Sequence, residues 1–315
     1  LTADERFSGI PAIAVKPGAE LATERWVVLS VSGGLEEAVE AYFSILKQRI
    51  MFEGADSILR NAVVWGSWNY NRRPRGHMDI THDMIVANAR ALTDLAPGHP
   101  RFVMIDDGYQ RRKSEQKITQ WFGSCLEIFY DNGQPQHDAS LFPEGMKATA
   151  DAIRSAGCEP AIWTTPRLHA QSSLASDRPE LLLQLEGDDT FGERSDYLDY
   201  SLAEAREYTR AAWNTICNTW GYKGIKLDFW SLQFEMPSVR FANQDYTAIE
   251  LRNLFLEDLR AFVPEDGYIV TGCVTNNGNP FVGRYVDAAR CATDIGNGTT
   301  LTMRSSASIL TAAIP

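Results

Sequence analysis

The sequence predicts an α/β fold, a (β/α)8 TIM-type barrel truncated after its sixth strand and preceded by the end of a β-sandwich. Three observations predict it. From Asn61 onward, short apolar runs alternate with segments of helical period, which implies a parallel sheet with helices outside. Carboxylates stand at the C-terminal ends of three runs: Asp106-Asp107, Asp228 and Asp294. An open doubly wound sheet gathers its site at one switch point, whereas a barrel collects residues from many strand ends. Finally, the first strand is followed by Trp65-Gly66-Ser67-Trp68-Asn69-Tyr70, which is bulky and aromatic where an open sheet would carry a Gly-rich phosphate loop.

The elements follow in order. Residues 1–35 hold two strand-like runs, Ala12-Ile13-Ala14-Val15 and Trp26-Val27-Val28-Leu29-Ser30-Val31, separated by Pro17-Gly18. Two strands do not stand alone, so they read as the tail of an N-terminal β-sandwich. Residues 36–60 form a linker, helical over 36–49, with Val39, Tyr42, Phe43 and Leu46 on one face. Residues 61–315 are the catalytic barrel. Its strands are expected at 62–65, 101–106, 159–164, 224–229, 268–273 and 287–292. The intervening helices are expected at 79–95, 143–156, 202–220 and 245–262. Proline opens the second of these and Gly157 closes it, the usual helix punctuation. After Asp294 only enough sequence for one helix remains, so a seventh and an eighth strand are not expected within the chain.

Composition bounds the partners. The 315 residues are 44% hydrophobic and 23% charged, with a net charge of −11 spread in interleaved acids and bases. That balance repels phosphate backbones and anionic lipid, so neither nucleic acid nor membrane is an expected partner, and a neutral substrate fits. The apolar runs are too short to span a bilayer. Five cysteines without CxxC spacing read as free thiols in a reducing compartment. With no signal peptide visible, the expected location is cytoplasmic, with secretion of a processed chain left open. A homo-oligomer is compatible with all of this.

The chemistry starts at Gly224-Ile225-Lys226-Leu227-Asp228-Phe229. Side chains alternate along a strand, so Lys226 and Asp228 point one way inside an apolar run, where unpaired charge is costly. If Asp228 and Asp294 face each other across the barrel mouth, they are the paired carboxylates of glycoside hydrolysis. One attacks the anomeric carbon, and the other protonates the leaving oxygen and later activates water. Lys226 would keep Asp228 ionised. Arg290 would oppose protonation of Asp294 on contact and reads better as a ligand of sugar hydroxyls. Asp106 and Asp107 add acceptors, both admitted to the mouth by the turn at Gly108. A Mg²⁺ held by Asp106, Asp228 and Asp294 is geometrically possible, but Lys226 and Arg290 would repel it, so neither metal nor cofactor is expected. Trp65, Trp163 and Trp230 stand at or near strand ends, where sugar rings stack, and Cys273 lies beside the fifth.

These residues, in this order and spacing, resemble the retaining α-galactosidase clan, glycoside hydrolase family 36 with its melibiases, related to family 27. Ile105-Asp106-Asp107-Gly108-Tyr109-Gln110 is similar to that family's DDGW/Y strand end. Residues 220–229 resemble its nucleophile stretch, and Arg290-Cys291-Ala292-Thr293-Asp294-Ile295 its RxxxDI stretch. The resemblance covers about residues 65–294. It implies an α-galactoside oligosaccharide as substrate, Asp228 as nucleophile and Asp294 as acid/base. Asp106 and Asp107 would hold the axial 4-hydroxyl and the 6-hydroxyl, Lys226 hydroxyls near the nucleophile, and Arg290 the 2-position. Trp230 departs from the Asn or Cys that many members have two residues after the nucleophile, and residues 274–279 depart from their Gly-rich stretch. Both departures bear on the exact substrate and not on the reaction type. The alternatives are a transglycosidase that uses the same covalent intermediate, with residues 274–286 as its acceptor region, a related α-N-acetylgalactosaminidase, and a carbohydrate-binding protein without turnover.

Overall fold

A computed structural model of the protein describes residues 30–50, 57–69, 80–110, 137–168, 173–185, 197–235, 239–272 and 280–289. The two strand-like runs expected in residues 1–35 and the segment after residue 289 lie almost wholly outside these. In chain order the helices are α1 (Leu35–Ile50), α2 (His82–Leu95), α3 (Gly145–Ser155), α4 (Ser173–Asp177), α5 (Ala203–Asn214), α6 (Leu232–Glu235) and α7 (Ala248–Arg260). The strands are β1 (Val63–Gly66), β2 (Arg101–Ile105), β3 (Glu159–Thr164), β4 (Gln184–Leu185), β5 (Gly224–Leu227), β6 (Val239–Arg240), β7 (Tyr268–Thr271) and β8 (Ala288–Ala289). Six of them form one sheet in the order β1-β2-β3-β5-β7-β8 with every pairing parallel, a curled half-barrel consistent with a truncated (β/α)8 barrel.

The helices begin where side chains satisfy the free N–H groups of a first turn. Thr81 caps α2 by accepting from the Met84 N–H, so this helix starts later than its period suggests. Thr247 and Glu250 form a reciprocal capping box that fixes the start of α7. The helix expected over 202–220 is α5 followed by a π-helical turn, Thr215–Thr219, in which the Trp220 N–H reaches back to the Thr215 carbonyl. β4 and β6 pair antiparallel outside the main sheet. Sequence period gave no sign of them, because two-residue strands carry no alternation to read.

Strand parity divides the apolar residues between two faces. Val103, Ile105, Ile162, Ile225, Leu227 and Ile269 join the helices in the main core. The alternate residues face the concave side. Phe102, Ala161 and Tyr268 fill its floor, with Val64, Met104 and Val270 packed around them. The rings of Phe102 and Tyr268 meet edge to face, 4.8 Å between centroids. Gly224 lies in this layer, where a Cβ would come within 2.6 Å of both Ala161 and the Tyr268 ring. The glycine is there because an aromatic ring crosses its backbone. Above this apolar floor, Asp106, Trp163 and Lys226 take the next concave positions, beside Val270.

Candidate active site

The strand register assembles the site. Trp163 on β3 is level with Lys226 on β5, which is level with Val270 on β7. Asp106, one residue past the Ile105–Ile162 pair, belongs to the same layer. One layer higher, just past the end of β5, stands Asp228. All four polar or aromatic residues therefore rise from the C-terminal ends of parallel strands, the end at which barrel enzymes carry their chemistry.

Asp228 is 4% exposed and held from two sides. The Trp163 indole N–H donates to its Oδ2 at 2.9 Å, and the Phe229 backbone N–H to its Oδ1 at 3.1 Å. The turn that permits this puts Phe229 at φ 49°, a left-handed conformation that costs a non-glycine residue about 1 kcal/mol or more. The Tyr197 hydroxyl donates to the Phe229 carbonyl at 2.7 Å and fixes the turn. Gly272, at the end of β7, makes room for the carboxylate: a Cβ there would lie 2.5 Å from Asp228 Cγ.

Lys226 is expected to serve Asp228, but its ion pair in the structure is with Asp106. Lys226 Nζ lies 2.8 Å from Asp106 Oδ2 across the intervening strand β3. The long stem of Lys226 carries its ammonium across that gap, while the carboxylate of Asp228 is held by the Trp163 and Phe229 N–H groups instead. The Asp106 backbone N–H donates to Ser67 Oγ at 2.9 Å, tying β2 to the turn after β1. In that turn Trp68 is 37% exposed, and the Lys226 ammonium lies 5.9 Å from its ring centroid.

Asp107 is also drawn into the mouth. Gly108, at φ 118°, makes the turn that parity alone would forbid. The Asp107 N–H donates to Asp106 Oδ1 at 2.9 Å, and the residue is 6% exposed. Burial, and then the charge of Asp106, push its carboxyl well above the ordinary carboxylate range, with a smaller push from Asp228. The Gln110 side chain and the Gly108 N–H pull the other way.

Two expected aromatic platforms lie elsewhere. Trp65 is level with Val103 and packs, half-buried, against the helix-side core. Trp230 is buried and stacks parallel on Phe255 of α7, with centroids 6.3 Å apart. The strand ends at Leu227, so Trp230 does not continue the concave parity of Lys226. Asp294, Arg290 and Cys273 lie outside the described residues. Trp68, one of the aromatic residues near the strand ends, enters the site, and Ser67, Tyr197 and Gln110 support it without having been singled out. Their signals are weak, since each stands in a turn or loop where no period assigns a face. Among the described residues no three His, Cys, Asp or Glu side chains converge as they would around a metal ion, and no helix is long and apolar enough to cross a membrane.

No protein-family model matches the chain, and no curated protein matches it. Solved structures do. A variant of the family 36 α-galactosidase AgaA from Geobacillus stearothermophilus, in complex with stachyose, superposes with a TM-score of 0.65 at 15% identity over 90% of this chain and 37% of that one. The α-galactosidase from Lactobacillus brevis gives 0.61 at 16% identity, over 89% of this chain and 36% of that one. The fold is that of the family 36 α-galactosidases. TtGalA, the α-galactosidase from Thermus thermophilus in complex with stachyose, agrees at 0.55 and 22% identity, over 82% of this chain and 48% of that one. The chain thus spans about a third to a half of the length of the family 36 structures it resembles. At these identities the likeness establishes a glycoside-hydrolase-like fold.

Proposed function

We propose that the site belongs to a retaining glycosidase acting on terminal α-galactosyl residues of oligosaccharides. The observation that carries this reading is the buried, doubly hydrogen-bonded carboxylate of Asp228, standing one layer above the Lys226–Asp106 ion pair at the strand ends of a family 36-like fold. The solved neighbours that hold stachyose support a sugar as ligand.

In the proposed reaction an Asp228 oxygen attacks the anomeric carbon while the bond to the leaving oxygen breaks. Asp294 supplies the proton that the leaving oxygen takes up. Water then enters at the anomeric carbon, gives its proton to Asp294, and expels the Asp228 carboxylate, so configuration is retained. The Trp163 and Phe229 N–H groups hold the carboxylate in place before the attack and receive its charge again when it leaves. Lys226 and Asp106 present a donor and an acceptor to sugar hydroxyls, Arg290 serves the 2-position, and Trp68 offers an aromatic face. Asp106 and Asp107 favour the galacto configuration by taking the axial 4-hydroxyl and the 6-hydroxyl.

Steady release of p-nitrophenol from p-nitrophenyl α-galactoside tests this reading. Asp228→Ala should lose several orders of magnitude in rate while keeping its circular dichroism, with azide restoring turnover as the inverted glycosyl azide. Near-normal turnover by the variant would refute the assignment, and sugar binding without any release by the unmutated chain would make it a binding protein instead.

A further inference from the structure

The turn after β2 holds two buried polar atoms of opposite sense. Asp107 Oδ1, an acceptor, and Gln110 Nε2, a donor, are both buried and have no hydrogen-bond partner among the described residues. Native interiors rarely leave such atoms unpaired, because each costs about 1–3 kcal/mol. They stand on either side of Gly108-Tyr109: Gln110 Oε1 accepts the Gly108 N–H at 2.9 Å, which fixes the amide and so fixes where its NH2 group points. The Gln110 backbone is itself pinned by an antiparallel bridge to His137, and the Asp138 N–H donates to the Tyr109 carbonyl at 2.8 Å. Gln110 is 3% exposed, and its side chain is close enough to act on the Asp107 carboxyl.

A rigid donor beside a rigid acceptor is the complement of one hydroxyl group, which both gives and takes a hydrogen bond. We infer that Gln110 is a sugar-binding residue, and that its Nε2 and Asp107 Oδ1 together take a single substrate hydroxyl. The hydroxyl proton goes to Asp107 Oδ1, and the hydroxyl oxygen accepts from Gln110 Nε2. A lone carboxylate would accept any donor, including an amine or a water. The added amide requires that the same atom also accept, so the pair selects a hydroxyl over an ammonium and holds it in one orientation. This inference rests on the sugar-site reading of Asp107 and adds the residue that reading lacks.

The test is a calorimetric titration of the whole chain with galactose and with its four singly deoxygenated and four singly deoxyfluorinated derivatives. A fluorine keeps a weak acceptor and loses the donor, so it separates the two halves of the cradle. In the unmutated chain one hydroxyl should matter to both atoms, its removal weakening binding by about tenfold or more. Gln110→Glu retains an oxygen for the Gly108 N–H and abolishes the donor. Galactose should bind this variant about tenfold more weakly, and deletion of that same hydroxyl should then cost little further. Gln110→Met, with an apolar side chain of similar length, should behave alike, and melting curves of both variants should show an intact fold. Galactose binding of normal strength in both variants, or a hydroxyl-deletion pattern unchanged by them, would overturn the role of Gln110 and leave the sugar site standing. If the unmutated chain takes none of these sugars, while glucose and mannose also fail, the sugar-site reading and the cradle fall together.

Discussion

At the scale of single residues, the site is a set of carboxylates in which each has a different neighbour. Asp106 faces an ammonium at 2.8 Å, Asp228 an indole and a backbone N–H, and Asp107 has one oxygen unpartnered. The consequence is clearest for Asp107. Its carboxyl keeps its proton to higher pH when folded than when unfolded, so over that interval the folded state binds more protons. Its stabilising contribution is therefore complete below the ordinary value near 3.8 and declines as pH rises toward the raised one. Asp107→Asn, which cannot ionise, should melt higher than the unmutated chain at pH 7, by about 2–4 °C for each kcal/mol relieved. The gain should vanish below pH about 4. The same variant should lose about tenfold or more of its preference for galactose over glucose, since the amide no longer offers a charged acceptor. A melting difference independent of pH would mean that the burial of Asp107 carries no ionisation penalty. The sequence made Asp106, Asp107, Lys226 and Asp228 visible because charge inside apolar runs stands out. It hid the partnerships among them, because Lys226 and Asp106 are 120 residues apart and only the register brings them together.

At the scale of elements, the strands act as a ruler. Parallel pairing sets Trp163, Lys226 and Asp106 at one height and Asp228 above them, and the chain turns away as soon as the strand ends. Close packing of neighbouring strand ends is what holds the carboxylate in place. Gly272→Ala should be a sensitive probe of that, because its Cβ would intrude to 2.5 Å from Asp228 Cγ. The expected result is a loss of about 10²-fold in kcat/KM, as for a misplacement of roughly 1 Å, with the melting temperature falling by only a few degrees. Equal activity in this variant would show that Asp228 is free to move without consequence. Periodicity located every strand of the main sheet to within a few residues, and α2, α3, α5 and α7 as well, since each repeats a pattern long enough to read. It carried the fourth strand two residues beyond its end, because Asp228-Phe229 looks extended in sequence while the chain turns at Phe229, φ 49°. That overrun is also why Trp230 reads as a site residue and folds into the core. Trp65 misled differently: a tryptophan at a strand end suggests a platform on either face, and only the pairing with Val103 shows which face it takes.

At the scale of the whole molecule, the described residues form a sheet of six parallel strands whose C-terminal ends gather the polar residues Asp106, Lys226 and Asp228. The barrel-like class was legible because candidates fell at several strand ends instead of one. The net charge of −11 and the paired charges in the mouth suit an uncharged ligand. Galactose binding should accordingly change by less than about twofold between 50 and 300 mM salt, since no counterions are released. A steep salt dependence measured by calorimetry would indicate an ionic ligand. The central claim is that Asp228 is the nucleophile of a retaining α-galactosidase site, and trapping the covalent intermediate tests it most directly. An activated 2-deoxy-2-fluoro-α-galactosyl-type inactivator slows both steps but leaves departure of the sugar slowest, so the glycosyl-enzyme accumulates. Mass spectrometry of the digested protein should find one sugar per chain, on the peptide that contains Asp228, absent from Asp228→Ala and prevented by excess galactose. Label on any other residue, or turnover with no label at Asp228, would contradict the account.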